Sequence, residues 1–441
     1  MKREIEAKLM QMLDPQSPNR VIVIEGARQV GKSYLVNQVL QSQTLPVLAF
    51  DLEKKKRLRN QIDQTEEFAD FQNLMFDQYG LKRPSILFFD EAQESLKLAS
   101  YIRSFKEDWP DIRVILTGSS MNRFFAQTER MPVGRTQSLT VFPFNFTEFV
   151  RCVNGEELAD FIYSAPDKIT ASRHRLLLEL FDQYLQVGGY PEAVLAHKNH
   201  QAVAPLLDEI LAGLEEDFRR KETFQPELIR NILQSIANHI GSLSKLTQFE
   251  TTKYSATKII AAMKGWHLIL EVNQLALNPL HAKFLPKRYL HDVGMVNRLR
   301  SLAIPPISIL DTIDPFLRIP LGGLFENALL INLLAGESAR FQVAAWKMGR
   351  NSDIEIDFLM DFPEYAAKIP IECKAAVSLK NKHYKNLTHY LALTKQKFAV
   401  VVSAAPFEII TNAAKQTVLN LPVYLASKEN IKSYYQKNLL K

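Results

Sequence analysis

The chain has 441 residues, of which 46% are hydrophobic and 23% are charged, and this composition is ordinary for a folded soluble protein of two or three domains. Its two cysteines, Cys152 and Cys373, are too few for a disulfide framework or a zinc site. No stretch approaches the roughly 18 apolar residues of a membrane span, and residues 1–13 read as a short amphipathic helix instead of a signal peptide. We therefore expect a cytoplasmic protein without a membrane partner.

The positive charge is concentrated near the end of the chain. The net charge is +6 and the isoelectric point is about 9.0, which does not by itself imply a nucleic-acid partner. Residues 368–441 contain twelve lysines, no arginine and three acidic residues, which gives this segment a charge of +9. A solvated lysine-rich surface and a footprint for a phosphate backbone explain this pattern equally well.

A P-loop pattern follows the first predicted strand. The apolar run at 21–24 predicts a buried strand, and residues 26–33 (GARQVGKS) fit G-x-x-x-x-G-K-[ST]. The two glycines allow tight turns that point successive N–H groups at phosphate oxygens. Lys32 is expected to reach the β- and γ-phosphates, and the Ser33 hydroxyl is expected to ligate Mg²⁺. The alternative is a strand-to-helix turn that binds no ligand.

A second motif places two acids at the end of another apolar strand. Residues 85–91 (SILFFDE) match a Walker B element. Asp90, at the carboxyl end of a buried parallel strand, is expected to hold Mg²⁺ directly or through water. Glu91 is placed to polarise the attacking water as general base.

A third strand candidate, at 113–120, ends in polar residues. Thr117 or Ser119 would lie beside the γ-phosphate, unless they serve only the turn that ends the strand. Among the arginines that follow (Arg123, Arg130 and Arg135), Arg135 is the candidate for an arginine acting in trans, although a surface or salt-bridged position is the common alternative. The residues expected to bind nucleotide are Gly26, Ala27, Arg28, Gln29, Val30, Gly31, Lys32, Ser33, Tyr34, Thr117 and Arg135.

Strands that alternate with helices predict a parallel, doubly wound sheet. At this point the chain resembles a prokaryotic AAA-type ATPase family that pairs an N-terminal P-loop domain with a C-terminal domain of unknown function (DUF4143). The resemblance is carried by GARQVGKS (26–33), FFDEAQ (88–93), LTGSS (116–120), FPFNFTEF (142–149) and GGYPEAV (188–194). It implies an ATPase that forms a homo-oligomer.

The middle of the chain is predicted to contain helices followed by a hairpin. Residues 151–225 read as a small helical lid. Two helices and two strand candidates between 226 and 300 suggest a winged helix, which the same family carries here. The predicted recognition helix carries three lysines, Lys253, Lys258 and Lys264. These lysines are equally compatible with DNA binding and with a protein–protein contact.

Two predicted strands near the end of the chain bring acids and a lysine together. Strand alternation places Glu372 and Lys374 on one face and Cys373 on the other. Asp357 on the neighbouring strand and Glu326 on the preceding helix add carboxylates, which bind hard divalent ions through oxygen. Lysine beside such a metal positions a water or stabilises charge that develops on phosphate.

This constellation resembles the PD-(D/E)XK nuclease fold. The resemblance implies catalytic roles for Asp357, Glu372 and Lys374 and a metal site at Glu326, Asp357 and Glu372. The alternative is a retired nuclease in which these residues form buried lysine–carboxylate pairs. Lys380, Lys382 and Lys385 follow directly and would lie near a bound phosphate backbone.

The predicted fold is α/β: a P-loop NTPase parallel sheet (1–150), a helical lid (151–225), a winged-helix middle (226–310) and a nuclease-like α/β domain (311–441). We expect a protein that binds and hydrolyses ATP with Mg²⁺. Two functions remain open: an ATPase-controlled enzyme that cuts DNA or RNA, and a nucleotide switch that binds a protein or DNA partner without cleavage. A small-molecule kinase is disfavoured because Asp90 and Glu91 suit water activation.

Overall fold

The computed structural model describes residues 2–119, 121–126, 134–222, 224–276, 285–300, 304–336, 343–349 and 352–439. The chain forms two compact units. The first contains residues 1–142 with 262–268 and 335–340, and the second contains 143–261, 269–334 and 341–441.

The first unit is built on a parallel five-stranded sheet, which confirms the predicted P-loop-type α/β fold. Its strands are β1 (Val21–Glu25), β2 (Val47–Asp51), β3 (Ser85–Asp90), β4 (Ile112–Gly118) and β5 (Thr136–Thr140), in the spatial order β2-β3-β4-β1-β5. Its helices are α1 (Glu6–Leu13), α2 (Lys32–Gln41), α3 (Lys56–Asp63), α4 (Phe68–Asn73), α5 (Lys97–Ser100), α6 (Ile102–Glu107) and α7 (Met121–Ala126).

The sheet order explains why three of these strands are rich in apolar residues and buried. β1, β3 and β4 are central and are buried on both faces, as parallel strands covered by helices are. The edge strand β2 is more exposed. Since all five strands run the same way, their carboxyl ends lie along one edge of the sheet. Residues 25–26, 51, 90–91 and 118–119 therefore meet there.

The second unit begins with five helices, as expected for residues 151–225, while their role as a lid stays a prediction. Its helices are α8 (Phe146–Val153), α9 (Glu156–Tyr163), α10 (Ala171–Val187), α11 (Pro191–Lys198), α12 (Ala204–Glu222), α13 (Pro226–Asn238), α14 (Lys253–Gly265, counted with the first unit from residue 262), α15 (Val293–Arg300), α16 (Pro315–Leu334), α17 (Lys385–Thr394) and α18 (Lys428–Leu439). Helix α8 starts with a reciprocal capping box, in which Asn145 and Glu148 each accept the other's backbone N–H.

The strands of the second unit form two sheets. They are β6 (Ile269–Val272), β7 (Gln274–Ala276), β8 (Lys287–Leu290), β9 (Val343–Lys347), β10 (Glu355–Phe362), β11 (Ala367–Lys374), β12 (Phe398–Ser403), β13 (Glu408–Thr411) and β14 (Thr417–Pro422). β6 and β8 pair antiparallel. The others form a mixed seven-stranded sheet in the order β13-β14-β12-β11-β10-β9-β7, so the predicted C-terminal α/β architecture is present. The winged-helix and nuclease assignments stay predictions.

Two of the sequence motifs meet inside the second unit. The Asp292 carboxylate accepts hydrogen bonds from the backbone N–H of Gly189 (2.6 Å) and of Met295 (2.8 Å). The Tyr190 hydroxyl lies 2.6 Å from Nε2 of His291. A side chain at Gly189 would put its Cβ 2.1 Å from a backbone oxygen. The GGYPEAV motif and the segment around His291 are therefore two halves of one packed junction.

No helix in the described parts of the chain reaches the length and hydropathy of a membrane span. Both cysteines are free and buried.

We expect Asp292→Ala to lower the unfolding temperature of the full chain by several degrees. The substitution leaves two buried backbone N–H groups without their acceptor, at a cost of about 2–4 kcal/mol. Asp292→Asn is the matched control, since its amide oxygen preserves one acceptor and the shape. An alanine variant as stable as the asparagine variant would contradict this role for the carboxylate.

The stability of the wild type relative to Asp292→Asn should also depend on pH. Burial raises the pKa of Asp292 to about 6, even though backbone N–H groups lower it. Because this folded-state pKa lies above the unfolded value of 3.8, the folded state holds the extra proton between these pH values. The stability of the wild type relative to Asp292→Asn should therefore fall as the pH rises from 4 to 7, in thermal unfolding at each pH.

Candidate functional site

The P-loop connects β1 to α2 and depends on its glycines. Gly26 has φ +149°, and a Cβ there would lie 2.2 Å from the backbone oxygen of Val141. Gly31 has φ +90° and directly precedes α2. Gln29 also has a positive φ, of 62°, which is uncommon outside glycine and recurs at ligand-binding loops. The sequence pattern thus yields the tight loop at a helix start that it predicted.

The Lys32 ammonium group is buried inside this loop. Its Nζ donates hydrogen bonds to the backbone oxygens of Gly26 (3.0 Å) and Ala27 (2.7 Å). Backbone carbonyls satisfy the ammonium here, as phosphate oxygens can. Ser33 is half-buried at the first turn of α2.

The other predicted loop residues differ in what they present. The side chains of Ala27 and Val30 are buried in the core, so only their backbone groups are available to a ligand. Arg28 is half-buried, and Tyr34 is 56% exposed.

Asp90 lies at the carboxyl end of β3, where neighbouring strands supply its partners. The Thr117 hydroxyl of β4 donates to Asp90 Oδ1, and the backbone N–H of Glu91 reaches the same oxygen at 3.1 Å. Thr117 is fully buried, so it orients the Walker B acid in this structure instead of opening toward a phosphate. On the other side, Asp51 of β2 lies in register with Asp90.

Glu91 stands in a left-handed turn with φ +51°. Its carboxylate accepts a hydrogen bond from the Gln93 side-chain amide. Gly118 leaves room for that amide, since a Cβ there would lie 2.1 Å from Gln93 Oε1. Gln93 and Gly118 therefore hold the proposed general base in place, a role that the sequence motifs did not reveal.

Ser33, Asp90 and Glu91 line one pocket of about 460 Å³. Its polar lining includes Ser33, Asn37, Asp51, Lys54, Asp90 and Glu91. A hydroxyl and carboxylates are the oxygen donors that Mg²⁺ prefers, so Ser33 and Asp90 fit the metal role predicted for them. The Asp51–Lys54 pair, at 2.8 Å, was missed because nothing in the sequence marks the end of β2 as part of the site.

Arg135 lies at the amino-terminal ends of the strands, opposite the end that carries the P-loop. It directly precedes β5, its backbone oxygen accepts a hydrogen bond from Val21 at the start of β1, and its side chain lies 3.5 Å from Glu107. Arg135 is thus separated from the P-loop of its own chain by the length of the strands. Its action in trans stays a prediction. Arg130 lies outside the described residues, and so does the side chain of Arg123.

The acids predicted near the end of the chain do converge. Glu326 comes from α16, Asp357 from β10 and Glu372 from β11. Asp357 lies where the pairing of β10 with β9 shifts register, a bulge of the kind that redirects a side chain. Its Oδ2 accepts the backbone N–H of Cys373 at 2.9 Å.

Two lysines neutralise this cluster. Lys374 Nζ lies 2.6 Å from Glu372 Oε1 and 3.8 Å from Asp357 Oδ2. Lys287, which the sequence did not single out, lies 3.1 Å from Asp357 Oδ1, 3.6 Å from Glu326 Oε2 and 3.9 Å from Glu355 Oε1. The Lys287 side chain is only 2% exposed.

The pKa values of the cluster follow from burial and these ammonium groups. Burial raises the pKa of Glu372 to about 8 and that of Glu326 to about 7, and the charge of Asp357 adds to both shifts. Burial also acts on Asp357, but Lys287 and Lys374 outweigh it and lower the pKa. Burial alone would lower the pKa of Lys287, but the surrounding carboxylates outweigh it and raise the pKa.

A divalent ion does not fit this cluster as it stands. The carboxylate oxygens already surround an ammonium group, and no group of three or more histidine, cysteine or acidic side chains in the described ranges is arranged to hold a metal ion. Glu372 Oε2 is buried and accepts no hydrogen bond from any described residue. The predicted catalytic and metal residues are therefore brought together, with Lys287 against Asp357 and Glu326 and with Lys374 against Glu372.

A known protein family matches most of the first unit. Residues 18–150 match the model of an AAA domain, so this part of the chain is similar to AAA domains. Residues 178–305 match a domain of unknown function (DUF8612). That match covers the middle of the chain, so the predicted DUF4143 and nuclease-like character of the end stays a prediction.

The similar curated proteins carry no functional name. An uncharacterized protein of Methanocaldococcus jannaschii is 23% identical over 88% of this chain and 84% of its own length. An uncharacterized protein of Haemophilus influenzae is 23% identical over 56% of this chain and 58% of its length.

A search of solved structures gives a distant match. The chain spans about half (47%) of a signal transduction ATPase with numerous domains (a STAND protein) with a tetratricopeptide repeat sensor from Pyrococcus horikoshii. The match covers 74% of this chain at 12% identity, with a TM-score of 0.28. At that score we transfer neither fold nor function from it.

Proposed function

We propose that the protein binds ATP with Mg²⁺ and hydrolyses it at the P-loop pocket. The observation that carries this proposal is that Ser33, Asp90 and Glu91 line one pocket beside the buried Lys32. Phosphate binding, metal binding and water activation each need one of these groups. They come from two separate segments of the chain, the P-loop and the end of β3, and both segments lie at the carboxyl end of the parallel sheet.

Each group has a distinct part in the proposed reaction. Lys32 exchanges its two loop carbonyls for oxygens of the β- and γ-phosphates. Ser33 and Asp90 would hold Mg²⁺, which neutralises charge on the phosphates when bound. Glu91 accepts a proton from the attacking water, and Gln93 holds that carboxylate in position.

We expect Lys32→Ala to lose ATP binding and Glu91→Gln to keep it while losing turnover. Lysine supplies the positive charge that the phosphates require, whereas a general base acts only in the chemical step and contributes about 10²–10⁴-fold. Binding would be measured with a fluorescent ATP analogue and turnover by phosphate release. Unchanged turnover in Glu91→Gln would remove Glu91 as the base.

Gly118→Ala should reduce kcat while leaving the KM for ATP nearly unchanged. The added Cβ collides with Gln93 Oε1 and Met121 Sδ, and it therefore displaces the amide that holds Glu91. A small displacement of a catalytic group costs on the order of 10- to 100-fold. The control is Gly213→Ala, where a Cβ meets nothing within 4 Å. Equal kcat values in the two variants would contradict the positioning role of Gln93.

We further propose that the C-terminal part binds the phosphate backbone of DNA or RNA. Lys380, Lys382 and Lys385 are all exposed and lie between β11 and the first residue of α17. Such a local group of positive charges favours a polyanion through counterion release. The alternative, a switch that binds a protein partner, needs no such contact.

Replacing these three lysines by glutamine should weaken DNA and RNA binding and flatten its dependence on salt. Each lost phosphate contact lowers the slope of log affinity against log salt by about one. Fluorescence anisotropy over a range of salt concentrations measures both. The matched control is the triple glutamine variant of Lys395, Lys397 and Lys415, which are also exposed. Equal losses in both variants would point to a diffuse charge effect and not to a site.

A further inference from the structure

We propose that Lys287 is the built-in cation of the C-terminal carboxylate cluster and occupies the place between Asp357 and Glu326 where a divalent metal is predicted. Its ammonium group lies among carboxylate oxygens of Asp357, Glu326 and Glu355 at 3.1–3.9 Å. The cluster therefore holds its acids together without metal, and the domain does not cleave phosphodiesters by metal catalysis. This inference is independent of ATP hydrolysis.

The ammonium and a metal exclude each other at this place. Mg²⁺ needs oxygens at about 2.0–2.1 Å in octahedral geometry and Ca²⁺ at about 2.3–2.6 Å, usually with six or more ligands. A dication bound to Asp357 and Glu326 would lie within a few ångströms of the Lys287 charge, where repulsion between like charges is strong. The Lys287 side chain itself is only 2% exposed.

The backbone that carries Lys287 is fixed on both sides. Lys287 pairs with Val272 in the β6–β8 sheet and forms an isolated bridge with Leu243. The next residue, Arg288, points the other way and bonds to the Ser244 hydroxyl (2.8 Å) and to Glu271 (3.0 Å).

The face of β8 that carries Lys287 is anchored on the cluster itself. The Tyr289 hydroxyl donates to Glu326 Oε2 at 2.7 Å. At the end of the strand, the Asn327 side chain exchanges two hydrogen bonds with the backbone of Leu290, at 3.0 and 2.8 Å. Gly241 also lies against the Glu326 carboxylate, where a Cβ would lie 3.1 Å from Oε2. The strand therefore delivers Lys287 to a fixed place.

The test counts bound Mn²⁺ in the full chain without nucleotide, by electron paramagnetic resonance of the free ion. With Lys287 present, the wild type and Asp357→Asn should bind the same number of Mn²⁺ ions. Lys287→Met removes the charge and keeps the length of the side chain. It should gain one Mn²⁺ per chain, and the double variant with Asp357→Asn should lose that ion again.

Lys368→Met is the matched control, because Lys368 is an exposed lysine on β11 and should leave the count unchanged. A wild type that loses one Mn²⁺ on Asp357→Asn would overturn the proposal, since a metal then displaces Lys287. So would a folded Lys287→Met variant, checked by circular dichroism, that gains no ion. If that variant does not fold, the wild-type comparison decides alone, with Glu326→Gln as a second probe.

Discussion

A buried charge costs several kcal/mol unless opposite charges or oriented dipoles surround it, and this constraint shapes both polar centres of the protein. In the first unit the buried Lys32 ammonium is satisfied by two loop carbonyls. In the second unit the buried Lys287 ammonium is satisfied by carboxylates. The difference decides the chemistry, because neutral carbonyls are readily exchanged for phosphate oxygens, whereas a set of carboxylates holds its cation tightly.

The same constraint explains how far the sequence could predict the fold and the sites. The P-loop is a contiguous pattern whose glycines, lysine and serine act within a few residues of one another, so its geometry is encoded locally. Asp90 and Glu91 follow an apolar run, and the parallel sheet necessarily brings them to the same edge. Gln93 and Thr117 orient these two acids through side-chain hydrogen bonds, which the sequence pattern does not encode.

The carboxylate cluster shows which contacts cannot be predicted from local sequence patterns. Strand alternation correctly placed Glu372 and Lys374 on one face, and their side chains meet at 2.6 Å. Lys287 lies 70 positions before Asp357 and in a different sheet, so no spacing rule connects the two residues. Arg135 shows a related limit. Its distance from the P-loop along the sequence does not reveal whether it lies at the amino-terminal or the carboxyl end of the strands.

A hallmark set of acids and a lysine cannot by itself distinguish a metal site from an ion-pair core, because both require convergent carboxylates beside a positive charge. What distinguishes them is how many positively charged side chains the protein itself places among the carboxylates. Here two lysines serve four carboxylates, and burial raises the pKa of Glu326 and Glu372 into the neutral range. The two ammonium groups already contact the carboxylate oxygens that a dication would need, and the fixed geometry of the cluster joins β8, α16 and the C-terminal sheet.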